Sequence, residues 1–453
     1  MPKKKTALTI EERLQQALVP AEEQPYEVPE NWVWVRLGEV NKYVSKSVNP
    51  ISEPDKIFEL YSVPSMADDY PEIIAGSDIG SSKQSVCKED VLLCKINPRI
   101  NRVWKVSQFT DNELIASSEW IIIRNNHINA NYLMYCFQSK YFREFMLSNV
   151  SGVGGSLMRA QPKYVQTYPI PLPPLSEQQR IVESIEELFA KLDEAKERLQ
   201  EVADSFAVRK VAILHKAFTG ELTQQWRLEN GVSDESWEEK KFDDCIEKMQ
   251  NGLSKRKGDE GNNIGVLRLA NLGEDDLVLD DLRYILLTEK EEKNYLLSKD
   301  DVIMIRVNGS KDNVARQIVI NTDEKLSFCD HIIRIKYNPN IVARYVMYFS
   351  KTNAYRKYVE DNMVSSAGQN TISRKGLASL VIPLPSIEEQ HEIVRLIDDL
   401  LARERSAQQA AEQALASIDL MKKSILARAF RGELGTNKAS EASALELLRQ
   451  VLS

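Results

Sequence analysis

The sequence IPLPPLSEQ at residues 170–178 recurs as IPLPSIEEQ at residues 382–390. The likeness continues without a gap to AFTGEL at 217–222 and AFRGEL at 429–434, so that 21 of 53 paired positions are identical at a constant offset of 212 residues. Repeats of about 20–50 residues are typical of solenoids, whereas a repeat as long as this one indicates a duplicated domain with its helix. The sequence therefore predicts a chain built as two halves.

Each copy of the repeat has the apolar period of a long helix with one contact edge. Apolar residues recur at alternating steps of four and three, the period of a coiled coil, and only Arg209 and Glu404 interrupt the pattern. The predicted seam comprises Ile181, Ile185, Leu188, Leu192, Ala195 and Leu199 in the first copy and Ile393, Ile397, Leu400, Ala407 and Ala411 in the second.

The ends of both helices carry capping signals. Ser176 with Gln179, and Ser386 with Glu389, have the spacing of a capping box. The glycine of each GEL sequence suits a left-handed helix end. Because the intervening residues could form a domain, whose two ends usually lie close together, we expect the helices to pair antiparallel. The alternative is that each helix packs separately on its own domain.

The segments that precede the two helices also correspond. WVWVRLGEV at 32–40 resembles WEEKKFDDC at 237–245, and KEDV at 88–91 resembles KDDV at 299–302. We expect an α+β fold with two pseudo-symmetric α/β domains separated by two long helices that form an antiparallel coiled coil. The expected segments are an N-terminal arm with a short helix (1–30), a first domain (31–169), a first spacer helix (170–226), a linker (227–235), a second domain (236–381), a second spacer helix (382–434) and a C-terminal tail helix (435–453).

Composition favours a globular protein of several domains. The chain has 453 residues, of which 43% are apolar and 28% charged. Its apolar runs are far shorter than the roughly 20 residues that a membrane-spanning helix needs. Charged residues 11–13 interrupt the segment behind Lys3 to Lys5, where a signal peptide would be apolar. We therefore expect a cytoplasmic protein.

The sequence offers no catalytic or metal-binding constellation. The five cysteines contain no C-x-x-C pair, which favours reduced thiols over disulfides or zinc ligands. The four histidines are scattered, and neither a G-x-x-x-x-G-K-[ST] phosphate loop nor a G-x-G-x-x-G turn after a strand is present. We expect no catalytic residue, no metal site and no cofactor in this chain.

Basic and amide side chains cluster around the apolar strand of each domain. Arg and Lys can bridge guanine edges or hold phosphates, and Asn or Gln can pair with adenine, so such loops suit readout of the DNA major groove. A solvated basic hairpin without any ligand would look similar. The candidates are Lys83, Gln84, Lys95, Asn97, Arg99, Arg102 and Lys105 in the first domain and Lys255, Arg256, Lys257, Arg306, Asn308, Ser310, Lys311 and Arg316 in the second.

A second loop lies nearer to each helix start, SGVGGS at 151–156 and SSAGQN at 365–370, and adds Gln369 and Asn370 to the candidates. Such turns let backbone amides approach phosphate, but they also serve as flexible connections. The formal net charge of −8 opposes a self-sufficient DNA-binding protein. We therefore expect specific but weak binding, with partners supplying further phosphate contacts.

Taken together, the paired IPLPPLSEQ and IPLPSIEEQ sequences and the paired AFTGEL and AFRGEL sequences resemble the specificity subunits of type I restriction–modification enzymes. The resemblance covers nearly the whole chain. It implies two target-recognition domains, each binding one half of a split, asymmetric double-stranded DNA sequence, held apart by the coiled coil.

The resemblance also implies partners that carry the chemistry. Two adenine-N6 methyltransferase subunits would bring S-adenosylmethionine, and restriction/translocase subunits would bring ATP and Mg. The short helices expected near Thr9 and Ser443 could dock onto these partners or onto the long helices of this chain. The alternative from another class is a coiled-coil scaffold whose paired domains bind proteins rather than DNA.

Overall fold

The computed structural model describes residues 8–151 and 158–453, which form two compact units. The first unit comprises Met1–Leu199 and Gln413–Ser453, and the second comprises Gln200–Glu412. Each unit therefore contains one half of each long helix, in addition to its own α/β domain.

The helices are, in chain order, α1 (Ile10–Ala17), α2 (Leu37–Val40), α3 (Ala130–Gln138), α4 (Lys140–Ser148), α5 (Pro162–Val165), α6 (Leu175–Phe218), α7 (Gln224–Asn230), α8 (Glu289–Tyr295), α9 (Ala343–Phe349), α10 (Asn353–Asn362), α11 (Arg374–Leu377), α12 (Ile387–Ala429) and α13 (Ala444–Leu452). The strands of the first unit are β1 (Val33–Arg36), β2 (Ser47–Val48), β3 (Ile57–Tyr61), β4 (Glu72–Ala75), β5 (Lys83–Ser85), β6 (Val91–Cys94), β7 (Val103–Lys105), β8 (Glu113–Ala116), β9 (Trp120–Ile123), β10 (Val150–Ser151), β11 (Arg159–Ala160) and β12 (Pro169–Leu172). Those of the second unit are β13 (Glu238–Lys241), β14 (Ile246–Asn251), β15 (Asn262–Leu267), β16 (Arg283–Leu287), β17 (Val302–Ile305), β18 (Val307–Asn308), β19 (Gln317–Val319), β20 (Leu326–Phe328), β21 (Ile332–Tyr337), β22 (Val364–Ser366), β23 (Gln369–Thr371) and β24 (Val381–Leu384).

A buried antiparallel sheet forms the centre of each unit. In the first unit β6 lies between β7 and β9, and in the second β17 lies between β19 and β21, with β14 added at the edge. All four residues of β6 and of β17 are buried, which explains their uninterrupted apolar sequences. The KEDV and KDDV sequences form the same turn before these strands, with Glu89 at φ 70° and Asp300 at φ 68°.

The remaining sheets differ between the units. The first unit has a five-stranded sheet of order β2-β5-β8-β3-β4, whereas the second has a three-stranded sheet of order β16-β15-β20. The two domains therefore share a scaffold and carry different additions.

The paired prolines of the IPLP sequences lie in short antiparallel sheets. Trp34 of β1 lies opposite Pro171 of β12, and Glu239 of β13 lies opposite Pro383 of β24. This register confirms the correspondence between WVWVRLGEV and WEEKKFDDC. The Tyr132 hydroxyl donates to the Pro171 carbonyl at 2.8 Å, and a tyrosine on α9 makes the equivalent bond to the Pro383 carbonyl at 2.5 Å.

A buried glutamine fixes the start of each long helix. In the first unit, Gln178 Nε2 donates to the Pro173 carbonyl at 2.9 Å, and Gln178 Oε1 accepts from the Asn129 N–H at the start of α3 at 2.9 Å. In the second unit, Gln390 makes the same two bonds, to the Pro385 carbonyl at 3.0 Å and from the N–H before α9 at 2.9 Å. Both glutamines are at most 1% exposed, so these bonds form away from water.

The two long helices run antiparallel. The beginning of α6 packs against the end of α12 in the first unit, where Ile181 and Leu426 share one core. The end of α6 packs against the beginning of α12 in the second unit, where Leu214 and Ile393 share another. The two predicted interruptions of the apolar pattern pair with each other, since Arg209 Nε lies 2.8 Å from Glu404 Oε2.

The apolar seam follows a different path from the predicted one. Ile181, Ile185, Ile393, Ile397 and Ala411 are buried. The corrections are that Leu188, Ala195 and Ala407 are exposed and that Leu192, Leu199 and Leu400 are half-buried. In their place the stripe passes through Phe189 and Leu401. A helix of 3.6 residues per turn drifts relative to a strict 3.5-residue repeat, so the buried stripe moves to the neighbouring position along each helix.

The predicted helix ends are correct at the carboxyl side and partly wrong at the amino side. Gly220 and Gly432 have φ angles of +80° and +73°, as expected. The capping box at Ser176 is wrong, because α6 already begins at Leu175 and the Pro174 carbonyl accepts from its first turn. In α12, Ser386 Oγ accepts from the Glu389 N–H at 3.2 Å, which is half of the predicted box.

The short helices at the two ends of the chain form as predicted. Helix α1 begins with a capping box at Thr9, and α13 begins at Ser443. Leu448 and Leu452 of α13 share the core of the first unit with Leu14 of α1. Both helices thus pack within the first unit, against each other and against α2. Their docking onto partner subunits stays a prediction.

A pair of glycine substitutions tests the close packing after α12. At Gly432, φ is +73° and an added Cβ would lie 2.4 Å from Pro29 Cγ, whereas Gly231 has φ +67° and no atom within 4 Å of its Cβ position. We expect Gly231→Ala to lower the free energy of unfolding by about 1 kcal/mol, from backbone strain alone. Gly432→Ala should cost about 2–4 kcal/mol, because a clash is added. Chemical denaturation measures both, and equal losses would contradict the packing at Pro29.

Candidate nucleic-acid interface

In the second unit, the two loops predicted to bind DNA join in one small sheet. Strand β18 pairs with β23, which forms a hairpin with β22, giving the order β18-β23-β22. The hairpin turns at Ala367 and Gly368, both with positive φ. Residues 306–311 and 364–371, far apart in the sequence, therefore present one continuous surface.

The first unit builds the same arrangement with fewer paired residues. Strands β10 and β11 form a hairpin, and Ile96 makes a β-bridge with Arg159 of that hairpin. The Asn97 N–H donates to the Met158 carbonyl at 2.8 Å. The glycine-rich sequence at 152–156 lies outside the described residues.

Lys95 and Arg306 occupy equivalent backbone positions in these two surfaces. Lys95 directly follows β6 and Arg306 directly follows β17, the central strands of the two buried sheets. The Lys95 N–H donates to the carbonyl of Glu119 and its carbonyl accepts from Ala160, both within 3.0 Å. The Arg306 N–H donates to the carbonyl of His331 and its carbonyl accepts from Ile372, within 3.1 Å. The fold thus places one cation at the same point of each unit.

These two cations have no polar side-chain partner in the described part of the chain. Both side chains are half-buried, and neither forms a hydrogen bond or ion pair within residues 8–151 and 158–453. Over the same ranges, the exposed side chains of Arg99, Lys257 and Gln369 are also without polar partners. Arg and Lys in such positions can hold phosphate or bridge a guanine.

Three predicted contact residues are instead engaged within the protein. Gln84 Nε2 donates to the carbonyls of Ser117 and Trp120 at 3.2 and 3.0 Å. Arg316 Nη2 donates to the Leu272 carbonyl at 2.8 Å, and burial lowers the pKa of this guanidinium. Both side chains thus already form hydrogen bonds within the protein.

The third of these residues, Asn370, connects the two loops of the second unit. It is 7% exposed, its Nδ2 donates to the Gly309 carbonyl at 2.9 Å, and its Oδ1 accepts from Ser365 Oγ at 2.6 Å. Its position supports a role in shaping the surface.

The two asparagines that follow the central strands lie in backbone turns. Asn97 has φ 46°, and its buried Oδ1 has no partner among the described residues. Asn308 Oδ1 accepts from the Ser310 N–H at 2.8 Å, which shapes the turn before Lys311. A substitution at Asn97 would therefore alter the loop conformation together with any contact.

The other predicted cations have acidic neighbours or lie elsewhere. Lys105 lies 3.6 Å from Glu89, Lys255 3.0 Å from Glu291, Arg256 3.0 Å from Asp330 and Lys311 3.7 Å from Glu360. Surface pairs of this kind are worth less than about 1 kcal/mol, so phosphate can displace the carboxylate. Lys83 lies in the five-stranded sheet, where burial lowers the pKa of its ammonium group, and Arg102 precedes β7.

Arg159 belongs to the surface of the first unit but was missed in the sequence. It is exposed on β11 beside the Lys95 loop and pairs with Glu119 at 3.1 Å. Its position three residues after the glycine-rich segment at 151–156 was the available signal.

Among the described residues no cluster of metal-ligating side chains is found, and no described helix is long and apolar enough to cross a membrane.

Comparisons with known proteins agree with this two-part architecture. A family model described as the type I restriction modification DNA specificity domain matches residues 29–203 and 234–414, one match per repeat. The type I restriction enzyme StySPI specificity subunit of Salmonella potsdam is 35% identical over 309 residues, covering 68% of this chain and 66% of the relative. The EcoKI specificity subunit of Escherichia coli (strain K12) is 28% identical over 310 residues, with the same coverage of both chains.

A solved structure shows the likeness of fold. The HsdS subunit from Thermoanaerobacter tengcongensis has a TM-score of 0.65 and 21% sequence identity, covering 91% of this chain and 100% of that chain.

Asn370 and its neighbour Gln369 provide a matched test of how the surface is built. Asn370→Ala removes the bonds to Gly309 and Ser365, so we expect the amides of residues 364–371 to exchange roughly tenfold faster. Gln369→Ala removes an exposed side chain and should leave their exchange unchanged. Hydrogen–deuterium exchange with mass spectrometry measures both, and unchanged protection in Asn370→Ala would show that the hairpin is held by other contacts.

Proposed function

Because the chain belongs to the family of type I restriction modification DNA specificity domains, we propose that it is the sequence-recognition subunit of such a complex. Each unit would read one half of a split, asymmetric target in double-stranded DNA. The observation that carries this proposal is the equivalent placement of Lys95 and Arg306, each unpaired among the described residues, beside a hairpin in its own unit.

The shared scaffold explains how two halves could be read differently. The backbone bonds that position the two cations are the same in both units, whereas the surrounding side chains and outer sheets differ. Contacts to phosphate set the register of a protein on DNA, and contacts to base edges choose the sequence. Equivalent cations can thus contact a base at the same point of each unit, while the neighbouring residues differ in the bases they accept.

The partners would supply the chemistry. We propose two adenine-N6 methyltransferase subunits, which would bind S-adenosylmethionine, and restriction/translocase subunits, which would bind ATP and Mg. This chain would be non-catalytic and act in the cytoplasm. A formal net charge of −8 supports dependence on these partners, because phosphate binding requires positive charge that this chain supplies only locally.

Single substitutions at the two equivalent cations test the proposal. In cells that express the chain with its methyltransferase, Lys95→Ala should weaken methylation through one half of the motif, and Arg306→Ala through the other. A base contact contributes about 1–3 kcal/mol, so we expect roughly a 5- to 150-fold loss of discrimination at the affected half. Sequencing of N6-methyladenine across the genome measures the motif.

A lysine on the first long helix provides the control. Lys196 is exposed on α6, and Lys196→Ala should leave the motif unchanged. If Lys95→Ala and Arg306→Ala both weaken methylation at all sequences equally, the two cations hold phosphate without selecting bases. An unchanged motif and unchanged DNA affinity in both variants, with an assembled complex, would contradict the proposed surface.

A further inference from the structure

In the first unit, an arm at residues 18–28 lies against the outer edge of β1. Leu18 makes an antiparallel β-bridge with Val35, and the Val19 N–H donates to the Trp34 carbonyl at 3.0 Å. The arm then turns back through a 3-10 turn at Ala21–Glu23, so that its later residues return to the same edge.

The same arm inserts an aromatic side chain beside that edge. The Tyr26 ring packs edge-on against Trp34 and Tyr141, with centroid distances of 4.9 and 5.2 Å. Its hydroxyl donates to the Phe430 carbonyl at the end of α12 at 3.1 Å. Three residues earlier, Glu23 pairs with Arg36 of β1 at 2.7 Å.

The second unit has the corresponding edge without an arm. Within the described part of the chain, β13 and β24 form a two-stranded sheet, and the segment before β13 forms α7. By strand register, Glu239 replaces Trp34 and Lys241 replaces Arg36. The Glu239 carbonyl therefore points away from β24, as the Trp34 carbonyl points away from β12, and can accept from an added strand.

The place of the tyrosine ring is open in the second unit. A groove of about 520 Å³ lies there, lined by Val211, Phe218, Glu239, Ala354, Val381 and Pro383 among others. Ala354 replaces Tyr141, because both lie two residues after the capping residue of the equivalent helices α10 and α4. Phe218 lies at the position of Phe430 in the 212-residue repeat. Val211 and Val381 are 45% and 43% exposed, so apolar surface is left uncovered.

We propose that this groove binds a segment of a partner protein that takes the conformation of the arm and carries tyrosine and, three residues before it, an acidic side chain. The main chain of the segment would bond to the edge of β13, its tyrosine hydroxyl would donate to the Phe218 carbonyl, and its carboxylate would pair with Lys241. The arm of a second copy is not the occupant, since that arm is already bonded within its own first unit.

A peptide with the sequence of residues 16–29, labelled with fluorescein, is the probe, because it has the required tyrosine and glutamate. Titration with the full chain, followed by fluorescence anisotropy, gives the dissociation constant. We expect binding that weakens roughly tenfold in the peptide with Tyr26→Ala, since the ring contact and its hydrogen bond are lost.

Two exposed valines of the second unit provide the matched variants of the full chain. Val381→Arg places a charge in the groove and should abolish binding, while Val278→Arg changes a valine of 44% exposure elsewhere and should not affect it. Circular dichroism checks that both variants are folded.

A gain of affinity tests the same site independently. The double variant Glu239→Trp, Ala354→Tyr restores the two rings that surround Tyr26 in the first unit and should tighten binding about tenfold. Peptide binding that survives Val381→Arg, or that the double variant leaves unchanged, would overturn the proposal by assigning the peptide to another site. If the chain associates with itself and the peptide reverses that association, the groove binds a second copy. This result would equally overturn the proposal. None of these outcomes depends on DNA recognition.

Discussion

The buried glutamine at the start of each long helix is the constraint on which the two-part structure depends. The preceding IPLP sequence is rich in proline, which fixes the backbone but cannot donate hydrogen bonds. Its carbonyls still need donors when they are buried. Gln178 and Gln390 supply one donor each and accept from the first N–H beside α3 or α9, so a single side chain joins helix, strand and domain.

This connection explains why the two copies of the repeat agree at the helix starts, which lie away from the surfaces that would select a DNA sequence. A tyrosine and a glutamine hold the same proline carbonyls in both units, and the following helices begin in the same way. The glutamate before each glutamine differs in its partners. Glu177 accepts from Trp32 Nε1 at 2.8 Å, whereas Glu389 accepts from Thr223 and Arg227 at 2.6 and 2.7 Å. The scaffold thus tolerates local change as long as the buried polar atoms of its glutamines are satisfied.

Much of the fold could be predicted from the sequence because the repeat reveals its own structure. The two long helices, their terminal glycines and the correspondence of the KEDV and KDDV sequences each depend on local chemistry, and the structure confirms them. The path of the seam was predicted less well, since Phe189 and Leu401 replace Leu188 and Leu400 through helical drift that a strict heptad ignores. Local sequence also could not tell that Asn370 would face inward while Gln369 faces outward, because that choice is made by pairing with a strand some 60 residues away.

If each unit binds one half of a DNA target independently, either half can be removed without loss of the other. Hydrogen–deuterium exchange of the full chain in its methyltransferase complex measures this, using DNA with both half-sites and DNA with either half scrambled. We expect that scrambling one half removes DNA-dependent protection from either residues 95–101 or residues 306–311, and leaves the other segment protected. Loss of protection in both segments together, or in neither, would contradict the independent reading of two halves.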